Sequence, residues 1–177
     1  DIERQLNEVP GVHSQTEDGL GLRTNIGMRG VSAIRTTKVN ITEDGILQGP
    51  AVYSNPSMYF FPDAGDAEGI EVLKGATAIG NGPRTTAGTI NFISRSVPTA
   101  GSEGHYSLTF GDDGFSRNHT YYGGNIGSIG YVFEYQDHRA DGFKTIGGTG
   151  NPDGGFDKQT DLFKLRWNFG GEWDQSF

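Results

Sequence analysis

The chain has 177 residues, a net charge of −8 and no cysteine, which bounds it to one or two small domains. These numbers exclude a disulfide framework and a thiolate metal site, and they leave nothing to neutralise a run of phosphates, so no nucleic-acid partner is expected. Glycine at 29 residues and aromatics at 11% point to turn-rich β structure, since disordered chains are poor in rings. No apolar run approaches the ~20 residues of a transmembrane helix. No signal peptide is visible, and the opening DIERQLNEV reads as the inside of a domain, as expected of a processed or truncated N-terminus.

The elements of the first half are predominantly aliphatic. Ile2 and Leu6 fall at helical spacing with Val9 just beyond, and Pro10-Gly11 ends that run. GLRTNIGMRG reads as a strand. Lys38 to Thr42 alternates apolar and polar, then meets Asp44-Gly45, a hairpin-type dipeptide. Residues 49–63 read as loop with one short helical turn. Strand IEVL, a glycine-rich loop too poor in helix formers for an ordinary helix, and strand TINFI follow. Together they make a small mixed α/β unit over residues 1–98, a reasonable independent size.

After Pro98 and the TAGSEG stretch the rings dominate. HYSLTFG places Tyr106, Leu108 and Phe110 on one face and His105, Ser107 and Thr109 on the other. GYVFEYQDH sets Tyr131, Phe133 and Tyr135 against Val132, Glu134 and Gln136. LFKLRWNF sets Phe163, Leu165, Trp167 and Phe169 against Lys164, Arg166 and Asn168. A fourth segment, 118–125, is less regular. The period is two, and one face is aromatic. Two solvents can accept that face. One is the core of a soluble β-sandwich. The other is lipid, around an outer-membrane barrel with polar residues turned to the lumen. Strands of ~9–11 residues suit a tilted bilayer crossing. A short turn at Gly123–Gly127 and a long polar loop over 139–160 suit the barrel habit of alternating short turns and long loops. About four strands fall short of the ~8 that close the smallest membrane barrel, so as a barrel the chain would be incomplete.

Four blocks in order carry a family pattern. PGV at Pro10–Val12, NIGMRG at Asn25–Gly30, EDGI at Glu43–Ile46 and GIEVLKGATAIGNGPRTTAGTINFISR from Gly69 to Arg95 resemble the plug domain of TonB-dependent outer-membrane receptors. The intervening GPAVYSNPSMYFFP is similar to the loop found in receptors for ferric siderophores and ferric dicitrate. The resemblance covers residues 1–98, and residues 99–177 then look like the first strands of the family's 22-stranded antiparallel barrel. It implies a Gram-negative outer-membrane receptor that takes up a ferric siderophore or ferric citrate, driven by the proton gradient through TonB–ExbB–ExbD. Outer-membrane lipid is the other expected partner. The ferric chelate is cargo; no cofactor, resident metal or catalytic residue is implied. The rival from another class is a soluble extracellular β-rich binding or adhesion module.

The resemblance also assigns residues. Arg35, Thr36 and Thr37 map to one apical plug loop, and Tyr53, Ser54, Asn55, Ser57 and Met58 to the next, where an anionic chelate would meet a cation and hydrogen-bonding groups. Arg29 is expected as a buried cation facing barrel carboxylates. Gly75, Gly80, Gly82 and Gly88 are expected at tight turns against the barrel wall, where the lack of a side chain lets backbones approach. Three departures stand out: Ala76 where the family often has proline, Gly80-Asn81-Gly82 where it often has Arg/Leu-Tyr-Gly, and Ala87-Gly88 in place of Gly-Gly. A plug–barrel lock that some members build on an arginine at the Gly80 position is therefore not carried over, and no TonB box lies in the chain. His13, His105, His119 and His138 are scattered without metal-ligand spacing and read as surface or lumen residues. Asp112-Asp113 and NPDGGFD lack the ligand spacing of a calcium loop and read as solvated turns.

Overall fold

A computed structural model describes residues 2–17, 22, 24–34, 38–48, 62, 65, 67–83, 85–148, 154–169 and 174–176. The chain divides into two compact units, Asp1–Ser94 and Arg95–Phe177.

In the first unit, helix α1 (Ile2–Asn7) buries Ile2 and Leu6 on one face. It ends at Asn7, ahead of a turn in which Gly11 takes a positive φ of 78°. The Asn7 side-chain oxygen then accepts the Ser14 N–H at 2.8 Å, tying the helix to strand β1 (Val12–Thr16). That strand, with Val12 as its one large apolar residue, is not expected from the sequence. It pairs antiparallel with β2 (Thr24–Met28), in register Val12 opposite Met28. Strand β3 (Val39–Glu43) turns through Asp44 and Gly45, both with positive φ, into the short β4 (Ile46–Leu47). Two positive φ values in a two-residue turn are what the expected Asp-Gly hairpin requires.

Strand β5 (Ala67–Lys74) and strand β6 (Gly88–Ser94) flank the glycine-rich segment. That segment is not plain loop: Gly75–Asn81 winds as a 3₁₀ helix, tighter than an α-helix at about three residues per turn. The sheet order is β4-β3-β6-β5. Strands β3 and β6 run parallel with Ile41 opposite Ile90, while β6 and β5 run antiparallel. Val12, Ile26, Met28, Val39, Ile41, Ile90 and Phe92 join Ile2 and Leu6 in one buried cluster.

The second unit is an antiparallel meander of β7 (Ser102–Phe110), β8 (Ser116–Ile126), β9 (Ile129–Ala140), β10 (Phe156–Asn168) and β11 (Asp174–Ser176), paired in chain order. Two expectations are corrected. Gly123 and Gly124 lie inside β8, and the turn is at Gly127, with φ 63°. The loop expected over 139–160 is shorter, because β9 continues to Ala140 and β10 starts at Phe156. Strand backbone simply runs further through polar residues than ring alternation marks. No described helix is long and apolar enough to cross a membrane, which says nothing of strands.

Candidate functional site

The second sheet has its polarity reversed relative to a soluble sheet. Along β9 the residues alternate Ile129, Tyr131, Phe133, Tyr135 against Gly130, Val132, Glu134, Gln136, His138, and it is the polar-rich set that is buried. Glu134 and Gln136 are each 1% exposed, whereas Phe133 is 45% and Phe163 65% exposed. Cross-strand register carries the reversal over neighbouring strands. Tyr122 lies opposite Phe133 and Phe133 opposite Phe163; Tyr131 faces Leu165 and Ile129 faces Trp167. Tyr106, Leu108 and Phe110 of β7 are exposed as well. Large apolar groups rarely gather on one exposed face without a partner phase.

On the other face a polar cluster is assembled from four places in the chain. Arg95 Nε donates to Glu134 Oε2 at 2.9 Å, and its Nη2 donates to Oε1 at 3.1 Å, a two-pronged pairing. His119 Nε2 lies 2.6 Å from the same Oε1. The Arg95 guanidinium carbon is 3.6 Å from the centre of the Tyr121 ring, and the His105 ring stacks on Tyr121 at 5.7 Å. Strand pairing explains the convergence: Tyr121 is opposite Glu134, and His105 is opposite Tyr121. Two further ties hold the segment after Arg95. Arg166 donates to the carbonyls of Val97 and Pro98, and the Asn125 N–H donates to the Gly101 carbonyl.

Neither the arginine–glutamate pair nor the place of His119 beside it is visible in the sequence, since fifteen residues separate His119 from Glu134 and thirty-nine separate Arg95 from it. Among the described residues, no three His, Asp or Glu groups are placed to hold a metal ion. His13 lies exposed on β1. Asp112 and Asp113 form a turn, closed by the Phe115 N–H donating to the Asp112 carbonyl.

In the first unit, Arg29 follows β2 with φ 51° and is exposed, its N–H donating to the Gly11 carbonyl. Its guanidinium lies over Gly75, where a Cβ would sit 2.5 Å from Nη1. The exposed arginine can swing aside, so what requires glycine at position 75 is its φ of 75°. Gly80 lies within the 3₁₀ helix with open space around it, and Gly82 follows that helix with φ 115°. Gly88 is not at a turn but opens β6. A side chain there would collide with Met28 Sδ and come within 2.5 Å of the Leu73 carbonyl oxygen. Gly88→Ala is therefore expected to destabilise the first unit by about 1–3 kcal/mol through overpacking, read as a lowered denaturant midpoint. Arg35, Thr36, Thr37, Tyr53, Ser54, Asn55, Ser57 and Met58 lie outside the described residues.

A small unit with a four-stranded mixed sheet is followed in one chain by an antiparallel meander that exposes its rings and buries polar residues. The sequence profile of the TonB-dependent Receptor Plug Domain matches residues 1–89. This chain belongs to that family. Solved structures share its fold. The ferric yersiniabactin uptake receptor FyuA from Yersinia pestis superposes with a TM-score of 0.72 at 22% identity, over 93% of this chain and 26% of that one. The ferric citrate transporter FecA, in unliganded form, gives 0.63 at 21% identity, over 93% and 25%. The copper transporter OprC gives 0.69 at 21% identity, over 92% and 24%. The chain spans about a quarter of the length of each.

Proposed function

We propose that this chain supplies the plug and the first wall strands of a Gram-negative outer-membrane receptor for energy-coupled uptake of a ferric chelate, a siderophore or ferric citrate. The observation that carries the reading is the reversed polarity of β7–β10 directly after a plug-family unit. Hydrocarbon accepts the outward rings, and a lumen accepts the inward polar face. Further strands, to the family's 22, close the wall, because open strand edges in lipid leave unsatisfied amides and carbonyls at several kcal/mol each. A soluble adhesion module is disfavoured by the same face. Tyr106, Leu108, Phe110, Tyr122, Phe133, Phe163 and Trp167 would all meet water.

Within this reading the chelate sits over the apical loops that contain Arg35, Thr36 and Thr37, and Tyr53, Asn55 and Ser57. Arg29, which lies over Gly75, faces the wall with Gly80 and Gly82, whereas Gly88 packs on Met28 and Leu73 of its own unit. TonB, driven by ExbB–ExbD and the proton gradient, moves the plug. No residue performs covalent chemistry. Iron is favoured over copper as cargo because two of the three structural relatives described above carry ferric chelates by name. The ligand is otherwise a matter of loops rather than fold.

Cells expressing the full-length receptor under iron limitation are expected to accumulate ⁵⁵Fe-labelled siderophore or citrate. Deletion of TonB is expected to reduce that accumulation to background. Uptake that persists without TonB, or uptake of ⁶⁴Cu alone, would overturn the reading.

A further inference from the structure

Two neighbouring residues at the boundary of the two units are held in opposite directions along the chain. Ser94, the last residue of the first unit, is bonded back to that unit. Its N–H donates to Asp44 Oδ1 at 3.0 Å, and its hydroxyl donates to Asp44 Oδ2. Arg95, the first residue of the second unit, is bonded forward, by both prongs of its guanidinium, to Glu134. One peptide bond therefore joins two carboxylate anchors, each within its own unit.

The anchors differ in build. Asp44 sits on an exposed two-residue turn at φ 49°, a conformation that L side chains other than Asn and Asp seldom hold. It is supported from below by the Asp44 N–H donating to the Phe92 carbonyl and by Asn91 Oδ1, which accepts from the Gly45 N–H and the Thr42 hydroxyl. All of these bonds belong to the β3–β4 hairpin and the end of β6. They open together if that hairpin leaves the sheet. Glu134 is instead in the middle of a twelve-residue strand, 1% exposed, paired on both sides, with His119 on the same oxygen and Tyr121 under the guanidinium. Arg166 holds the next carbonyls, at Val97 and Pro98. Water weakens an exposed carboxylate's bonds far more than those of a desolvated one.

We propose that the plug is released at Ser94 and retained at Arg95: when the first unit is displaced, the Asp44 clip opens, while residues 95–101 stay on the wall as a fixed stop. Asp44 is then the releasing element and Glu134 the holding element, and the freed length of chain ends at the peptide between them. This inference rests on the reading of the chain as part of a receptor whose plug is moved.

The test is hydrogen–deuterium exchange on the full-length receptor in detergent micelles through a guanidinium series, with neither TonB nor chelate present. In the unmodified receptor, the Ser94 amide is expected to open together with Val39–Glu43 and Gly88–Ile93. The segment after Arg95 is read separately, by thiol labelling of the Val97→Cys variant, because the Val97 side chain lies over Gly130 of β9; that labelling is expected to open only with β8 and β9, at higher denaturant. Asp44→Ala should speed Ser94 exchange at least tenfold and leave labelling at position 97 unchanged. Arg95→Gln, which leaves the β9 strand and its carboxylate in place, should bring labelling at position 97 down to the opening of the first unit. The proposal is overturned if position 97 opens with β6 while Asp44 and Arg95 are intact, if Asp44→Ala leaves Ser94 unaffected, or if Arg95→Gln leaves position 97 unaffected. The functional reading fails separately, through TonB-independent uptake, and that outcome does not alter the exchange pattern.

Discussion

Replacing Glu134 by alanine is expected to cost about 3–5 kcal/mol of stability in the second unit, the range seen when one member of a desolvated ion pair is removed. The pair qualifies as desolvated on both sides, with side-chain exposures of 13% for Arg95 and 1% for Glu134. Removing the carboxylate leaves a guanidinium that has lost both prongs of this pairing, and deprives the His119 ring nitrogen of its Oε1 contact as well. Glu134→Gln should cost less, since the amide oxygen still accepts one Arg95 N–H. The check is the denaturant midpoint of the full-length receptor, with the two variants measured side by side. A loss below about 1 kcal/mol for the alanine variant would place the pair among solvent-screened surface bridges, which are worth that little.

The second large effect is on the opposite face. Phe133→Arg is expected to destabilise the receptor by about 2–4 kcal/mol when it is folded into lipid vesicles, the penalty for a cation near the bilayer midplane. Phe133 is mid-strand and lies between Tyr122 and Phe163 on the outward face. Were that face in water, the same substitution at a 45% exposed site would change stability by no more than about 0.5 kcal/mol and would raise solubility. The two solvents thus predict results that do not overlap, and vesicle-folding titrations tell them apart.

How much of this was readable from the residues alone follows physical lines. Strong two-residue alternation marked β7, β9 and β10, because a pleated strand sends successive side chains to opposite faces. Alternation does not say which face meets which solvent. That is why Tyr131, Phe133 and Tyr135 fitted a sandwich core as well as a lipid wall until the plug blocks were considered. The Asp44-Gly45 turn was legible because its dipeptide suits positive φ. Strand β1 was not, since VHSQT has little apolar content and draws its register from β2. The 3₁₀ turn at Gly75–Asn81 was hidden by its glycines. The Arg95–Glu134–His119 cluster was hidden for a different reason. Its members come from a connector and two strands, and only the register that sets Tyr121 opposite Glu134 brings them within bonding distance. Arg95 ends the last of the four family blocks, but nothing in the letters told what it would grip. Gly88 was expected at a tight turn against the wall; it opens β6 instead, and the groups it spares, Met28 and Leu73, belong to its own unit.

The place of β6 also dictates an order of assembly. It is the last strand of the first unit to emerge from synthesis, yet it lies between β3 and β5, so the sheet has no centre until residue 94 exists. Its pairing with β3 joins Ile41 to Ile90, and the clip from Ser94 reaches back 50 positions to Asp44. Such distant closures are slow, because chain entropy is surrendered before any contact compensates for it. Up to that moment β3 and β5 carry open edges, so a nascent first unit needs shielding for longer than its modest size would imply.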